Sequence, residues 1–189
     1  MNKSYFIAFL YLLPCLVFSA PVVNEQYNLY KINGSTSSDL RKELSAHGPV
    51  INGEHFDAQV NWYINWYYYW NNQPQHRSCK ITRVEIKVKI DHSMPHWDNE
   101  EAASSNLQLK WNNYLKNLTI HEQGHADNGL KAAQEIEQAL LDTPAMLNCV
   151  SLKKLLDDRA YAIIKKHNDW DSNYDEKTHH GRTQGATFP

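Results

Sequence analysis

The chain has 189 residues, with 19 basic and 21 acidic side chains, a net charge of −2 with histidine neutral, and 12 % aromatic residues. So near-neutral a balance gives no electrostatic ground for a nucleic-acid or anionic-membrane partner. The length suits one domain with a core of its own.

Lys3 precedes an apolar run from Tyr5 to Phe18, and Val17-Phe18-Ser19 offers a cleavage point after Ser19. That is the layout of a secretory signal peptide over residues 1–19, too short and wrongly flanked for a membrane span. Cys15 follows Leu12-Leu13-Pro14, where a lipid-modified protein has a small residue, so lipidation is rejected. Residues 20–189 are then expected to form a single exported domain, periplasmic or extracellular, with no stable membrane insertion. They carry 18 basic residues against 21 acidic, a charge of −3. Cys79 and Cys149 survive export, and an oxidising compartment favours a disulfide over two separately buried thiols.

Glu25 to Ile32 alternates polar and apolar residues and predicts a strand ending at Asn33-Gly34. Thr36-Ser-Ser-Asp39 has the form of a helix cap, Leu40 and Leu44 share one helical face, and Gly48-Pro49 ends that helix. Asn61 to Trp70 (NWYINWYYYW) alternates as a strand whose aromatic content suggests cover on both faces. In Ile81 to Ile90, Val84, Ile86, Val88 and Ile90 point one way and Arg83, Glu85, Lys87 and Lys89 the other, as in an antiparallel sheet with one wet face. Pairing of this strand with an extended peptide is the less ordinary alternative, and Met94-Pro95-His96-Trp97 should break it.

From Glu100 to Leu141 the period becomes helical, as one long helix or two in tandem. Leu107, Trp111, Tyr114, Leu118, His121, Glu122 and His125 lie along one stripe. Ser151 is expected to cap a further helix buried through Leu152, Leu155, Leu156, Ala160, Ile163 and Ile164. The tail from Trp170 to Pro189 is polar and shows no clear period. Strands first and helices later predict an α+β fold: a small, mostly antiparallel sheet packed against a long helix and a second C-terminal helix.

The long helix carries His121-Glu-Gln-Gly-His125, an H-E-x-x-H spacing. Residues four apart are offset by about 40° and about 6 Å, so both imidazoles can face one ion with Glu122 beside them. Zinc held there lowers the pKa of a bound water to about 7, and the glutamate takes the proton. Two histidines that merely sit on a helix are the plain alternative, yet all three polar residues fall on the apolar stripe, where unpaired groups are costly to bury. A catalytic zinc needs a third protein ligand. Six residues past His125 stands Lys131, and no glutamate occurs between Glu137 and Glu176. Aspartates after Leu141 and the histidines His167, His179 and His180 remain, with Asp175-Glu-Lys-Thr-His-His-Gly-Arg-Thr-Gln-Gly185 the most ligand-like segment. Arg182 and Tyr174 are conceivable stabilisers of a developing oxyanion.

At these residues the chain resembles a bacterial family, domain of unknown function 922, whose members are described as predicted secreted zinc-dependent proteases. The likeness runs through Tyr30-Lys-Ile-Asn-Gly-Ser-Thr36, His47-Gly-Pro49, Trp62 and Trp66, Cys79, Pro95 and Trp97, Trp111 and Tyr114, the histidine motif, Cys149, and Thr178-His-His-Gly181. The resemblance implies Zn²⁺ on His121 and His125, a catalytic Glu122, and His180 in preference to His179 as third ligand. The function expected is a zinc-dependent, zincin-like metallopeptidase acting on a peptide or protein. A zinc-stabilised envelope-binding module without turnover, or an amidase acting on cell-wall material, are the alternatives.

Overall fold

A computed structural model describes residues 20–188, so the signal-peptide reading of residues 1–19 lies outside the described residues. Strand β1 (Val22–Ile32) leads into helix α1 (Ser37–His47) through a capping box. Thr36 Oγ1 accepts from the Asp39 N–H at 3.2 Å, and Asp39 Oδ2 accepts from the Thr36 N–H at 3.0 Å. The bonds satisfy backbone donors at and beside the helix end that would otherwise turn to water. Leu40 and Leu44 are fully buried, and α1 stops at Gly48, where a Cβ would stand 2.0 Å from the Phe56 carbonyl oxygen. A small hairpin follows, β2 (Val50–Ile51) and β3 (Glu54–His55), turning through Asn52 and Gly53 at φ 51° and 88°. Two left-handed residues are what a two-residue hairpin loop demands.

Strands β4 (Gln59–Gln73) and β5 (Ser78–Trp97) form a long antiparallel hairpin. β1 pairs with the other edge of β5 in parallel, so the sheet is mixed, in the order β1-β5-β4. β1 reaches its place by way of α1 rather than a tight turn, which frees it from the antiparallel sense that hairpins impose. β5 is the central strand, but β1 covers its second edge only from Lys87 to Trp97, so the ordinary sheet-strand reading holds for that half. The strand does not break at Met94-Pro95: pairing of Tyr30 with Pro95 and Ile32 with Trp97 carries it on. Val84, Ile86, Val88 and Ile90 are buried while Arg83, Lys87 and Lys89 are exposed.

The aromatic strand β4 is covered on one face only. Trp62, Ile64, Trp66 and Tyr68 are half-buried against the core, whereas Tyr63, Tyr67 and Tyr69 are exposed. Cations from the wet side of β5 lie over those rings: Arg83 at 3.9 Å from Tyr69, Lys87 at 5.3 Å from Tyr67 and Lys89 at 5.8 Å from Tyr63.

Helix α2 (Ser105–Leu141) is one unbroken helix of 37 residues, capped by Ser104. Helix α3 (Cys149–Thr178) starts three residues earlier than expected, because Asn148 Oδ1 rather than Ser151 is the cap and accepts from the Ser151 N–H at 2.8 Å. It also runs on to Thr178, through residues that show no apolar period. Two glycines inside α2 mark close approaches. A Cβ on Gly124 would lie 2.7 Å from the Tyr174 hydroxyl, and one on Gly129 2.5 Å from Trp62 Cγ. The cost of about 1 kcal/mol per helical glycine is offset by the tight packing it permits.

Cys79, near the start of β5, and Cys149, the first residue of α3, form a disulfide across 70 residues. Two apolar clusters lie along α2. One joins β5 to Ala126, Ala133, Ile136 and Leu140 of α2 and to Leu152, Leu156, Ala160 and Ile163 of α3. The other joins α1, Met94 and Trp97 to Leu107, Trp111, Tyr114 and Leu118, and it includes Ala186 and Phe188 of the tail. Among the described residues no helix is long and apolar enough to cross a membrane.

Candidate metal centre

The two clusters meet on α2 between Leu118 and Ala126, and the gap between them is filled by His121, Glu122 and His125, all less than 9 % exposed. Facing them is the last stretch of α3. Here His167, Asp171, Tyr174, Asp175 and Thr178 recur at helical spacing, continuing the buried stripe of Leu156, Ala160 and Ile163 in polar residues. His121 Nε2 and His125 Nε2 each lie 3.1 Å from the same atom, Asp175 Oδ1. His121, His125 and Asp175 form the metal-capable group among the described residues, their ligand atoms all within 4.8 Å of one another.

The other nitrogen of each ring is fixed by an acceptor. His125 Nδ1–H donates to Asp171 Oδ1 at 2.9 Å, and His121 Nδ1–H donates to Gln184 Oε1 at 2.9 Å. Gln184 is held in turn by donating to the Tyr174 hydroxyl at 2.9 Å. Tyr174 stacks on His121 with ring centroids 4.9 Å apart, and Trp170 stacks on its far side at 4.9 Å. With Nδ1–H engaged on both rings, each Nε2 lone pair is directed to the common point, the arrangement that fixes the tautomer of a metal-binding histidine. Donor atoms around a tetrahedral zinc stand about 3.3–3.6 Å apart, near the separations found here.

Charge favours a cation as well. Glu122, Asp171 and Asp175 all line the cleft beside the two imidazoles. Burial works against charge on His125, but its bonds to Asp171 and Asp175 overcome this and its pKa is pushed up to about 10. Burial also opposes ionisation of Asp175, and the bonds from His121 and His125 prevail and hold it below the usual carboxylate range. For Glu122 burial wins over the nearby histidines, and its pKa rises to about 7. Without an ion the trio is held together by protons; a divalent cation would take their place.

His180 stands beside the trio rather than within it. Its backbone is left-handed (φ 52°), just beyond the helix end at His179, and its half-exposed ring lies against Phe56 at 5.0 Å. Its Nδ1 is 3.6 Å from Asp175 Oδ1. The structure groups Asp175, rather than His180, with the two helix imidazoles. His167 lies deeper between the helices, bonded to Asn128 and Glu135. Tyr174 and Arg182 have separate places: Tyr174 packs on His121, and Arg182 lines the cleft. That cleft, of about 1320 Å³, runs between the β2–β3 hairpin, the middle of α2 and the C-terminal end of α3. The residues not foreseen are Asp171 and Gln184, and the signal for Asp171 was its place four residues before Asp175 on the α3 stripe.

No curated protein and no solved structure matches this chain. A family whose description is "Bacterial protein of unknown function (DUF922)" matches residues 27–181, which take in His121, Glu122, His125, Asp171 and Asp175 and stop short of Gln184. The chain belongs to that family, whose description assigns no activity.

Proposed function

We propose that the protein is an exported zinc-dependent hydrolase of peptide bonds, with His121, His125 and Asp175 as metal ligands and Glu122 as general base. The observation that carries this reading is the convergence of two imidazole Nε2 atoms on one carboxylate oxygen, next to a buried glutamate on the wall of an open cleft. Two imidazoles and a carboxylate suit zinc, and three protein ligands leave a coordination position free. Zinc in this setting supplies Lewis acidity to a water and to the substrate carbonyl. Glu122, buried beside the two imidazoles on the wall of the cleft, is placed to take a proton from that water and to return it to the leaving amine. Asp171 and Gln184 hold the two imidazoles in the orientation the ligands need. The disulfide supports an oxidising destination for the chain.

Glu122→Gln should retain one zinc per chain and lose turnover of a peptide library by about 10²–10⁴-fold. Hydrolysis at the wild-type rate would sink the mechanism. A second reading, a structural ion without turnover, draws on the distance of 3.6 Å between His180 Nδ1 and Asp175 Oδ1. A closed four-ligand site would show as zinc binding that weakens sharply in His180→Ala, together with no cleavage by the wild type.

A further inference from the structure

We propose that Asn128, His167 and Glu135 form a positioning relay behind the metal centre, holding Asp171, and through it His125, in the metal-binding geometry; this rests on the metal reading above. The links are short and continuous. Asp171 Oδ1 accepts from both His125 Nδ1–H at 2.9 Å and Asn128 Nδ2–H at 3.0 Å. The same Asn128 amide donates to the His167 backbone oxygen at 2.9 Å, and its Oδ1 stands 2.6 Å from His167 Nδ1. His167 Nε2 is 3.0 Å from Glu135 Oε2, and Lys166 closes the series at the surface with bonds of 2.7 and 2.8 Å to Glu135.

Donor and acceptor chemistry fixes every member. The Asn128 nitrogen faces a carbonyl and a carboxylate, so the amide cannot be turned over without setting oxygen against oxygen. Its Oδ1 can then only accept, and His167 Nδ1 must carry a hydrogen. The opposite nitrogen, Nε2, meets the Glu135 carboxylate, which also only accepts. Bonds from Lys166 and His167 lower the pKa of Glu135, which keeps it an ionised acceptor. The charged groups around His167 are thus Glu135 of α2, Lys166 of α3 and, through Asn128, Asp171. Asn128 and His167 are only 3 % and 7 % exposed, so water is kept from the bonds between them, while Glu135 and Lys166 meet solvent. A general adhesive between two helices would be apolar and without direction; this series is directional and ends on the ligand's own Nδ1–H.

The test uses the purified protein and Zn²⁺ itself. Long-range ¹⁵N–¹H spectra of the metal-free protein should show both His167 ring nitrogens engaged in hydrogen bonds. Zinc titration should give a dissociation constant about tenfold weaker for His167→Phe, which keeps a ring and loses both nitrogens. His167→Gln, whose amide can donate twice, should recover most of that loss. A purely structural role would lower the melting temperature of both variants alike and leave zinc affinity in place. A His167 ring nitrogen free of hydrogen bonds in the wild type, or His167→Phe within twofold of wild-type affinity, overturns the relay. If His167→Phe does not fold, the ring-proton spectrum decides. If the wild type takes up no zinc, the metal reading falls, and the spectrum still reports whether the hydrogen-bond series exists.

Discussion

The two ends of the α2–α3 pair are held by different physics. Where the helices connect, Leu140, Leu152 and Leu156 are fully buried and the Cys79–Cys149 bond ties α3 to the sheet. At the open end the contacts are polar: His121 and His125 on Asp175, His125 on Asp171, and Tyr174 laid against Gly124 and His121. Apolar packing is non-directional and tolerates small shifts, whereas a cluster of two imidazoles and carboxylates is stable only with its protons or an ion in place. The closed end is therefore a permanent clamp and the open end a conditional one.

The largest expected effect is at the open end. Asp175→Ala should weaken zinc binding by more than about a hundredfold, since even outer partners of ligands are worth 10–100-fold; calorimetric titration measures it. Unaltered affinity would break the contrast. At the closed end, replacing both Cys79 and Cys149 by serine should lower unfolding free energy by about 4 kcal/mol, from the 70-residue loop that the bond closes. Zinc affinity should change little, and urea unfolding with and without the ion separates the two.

Acidity acts on the open end through Glu122, which keeps its proton up to about 7 when folded against about 4.5 when unfolded. The unfolded chain releases that proton first as pH rises. The contribution of Glu122 to the stability of the metal-free protein is thus fully present below about 4.5 and falls by on the order of 3 kcal/mol by pH 7. His125, raised from 6.5 to about 10, extends the decline above neutrality. Glu122→Gln should remove the lower step, as read by urea midpoints of chelator-treated protein across that range. The smallest effect is steric. Gly124→Ala should cost about 1–3 kcal/mol of stability by pushing Tyr174 outward, despite alanine's better helix propensity. It should also weaken zinc binding, and Gly129→Ala should do so indirectly, by moving Trp62, whose Nε1–H donates to Asp171 Oδ2 at 2.8 Å.

The α2 wall of the site was legible in the sequence because His121, Glu122 and His125 interrupt an otherwise apolar stripe at a spacing with a chemical meaning. The α3 wall was much less so. Asp171, Tyr174, Asp175 and Thr178 obey the same helical period in polar residues, so hydropathy shows nothing there, and the helix seemed to fade near Trp170. Burial of Phe188 at 3 % exposure, against Trp111 and Tyr114, was likewise hidden in a tail judged by its average polarity. Alternation in β5 announced a strand with one wet face, but alternation carries no sense of direction, and the parallel placing of β1 was not readable from it.

The disulfide divides the candidate metal donors. With Cys79 joined to Cys149, an oxidised chain that loses its fold becomes a covalent ring holding His121 and His125, with Asp175 on a free arm outside it. Such a chain keeps a two-donor fragment within one loop and regains the third donor only when the arm coils back as a helix, so uptake of the ion measures the folding of that arm.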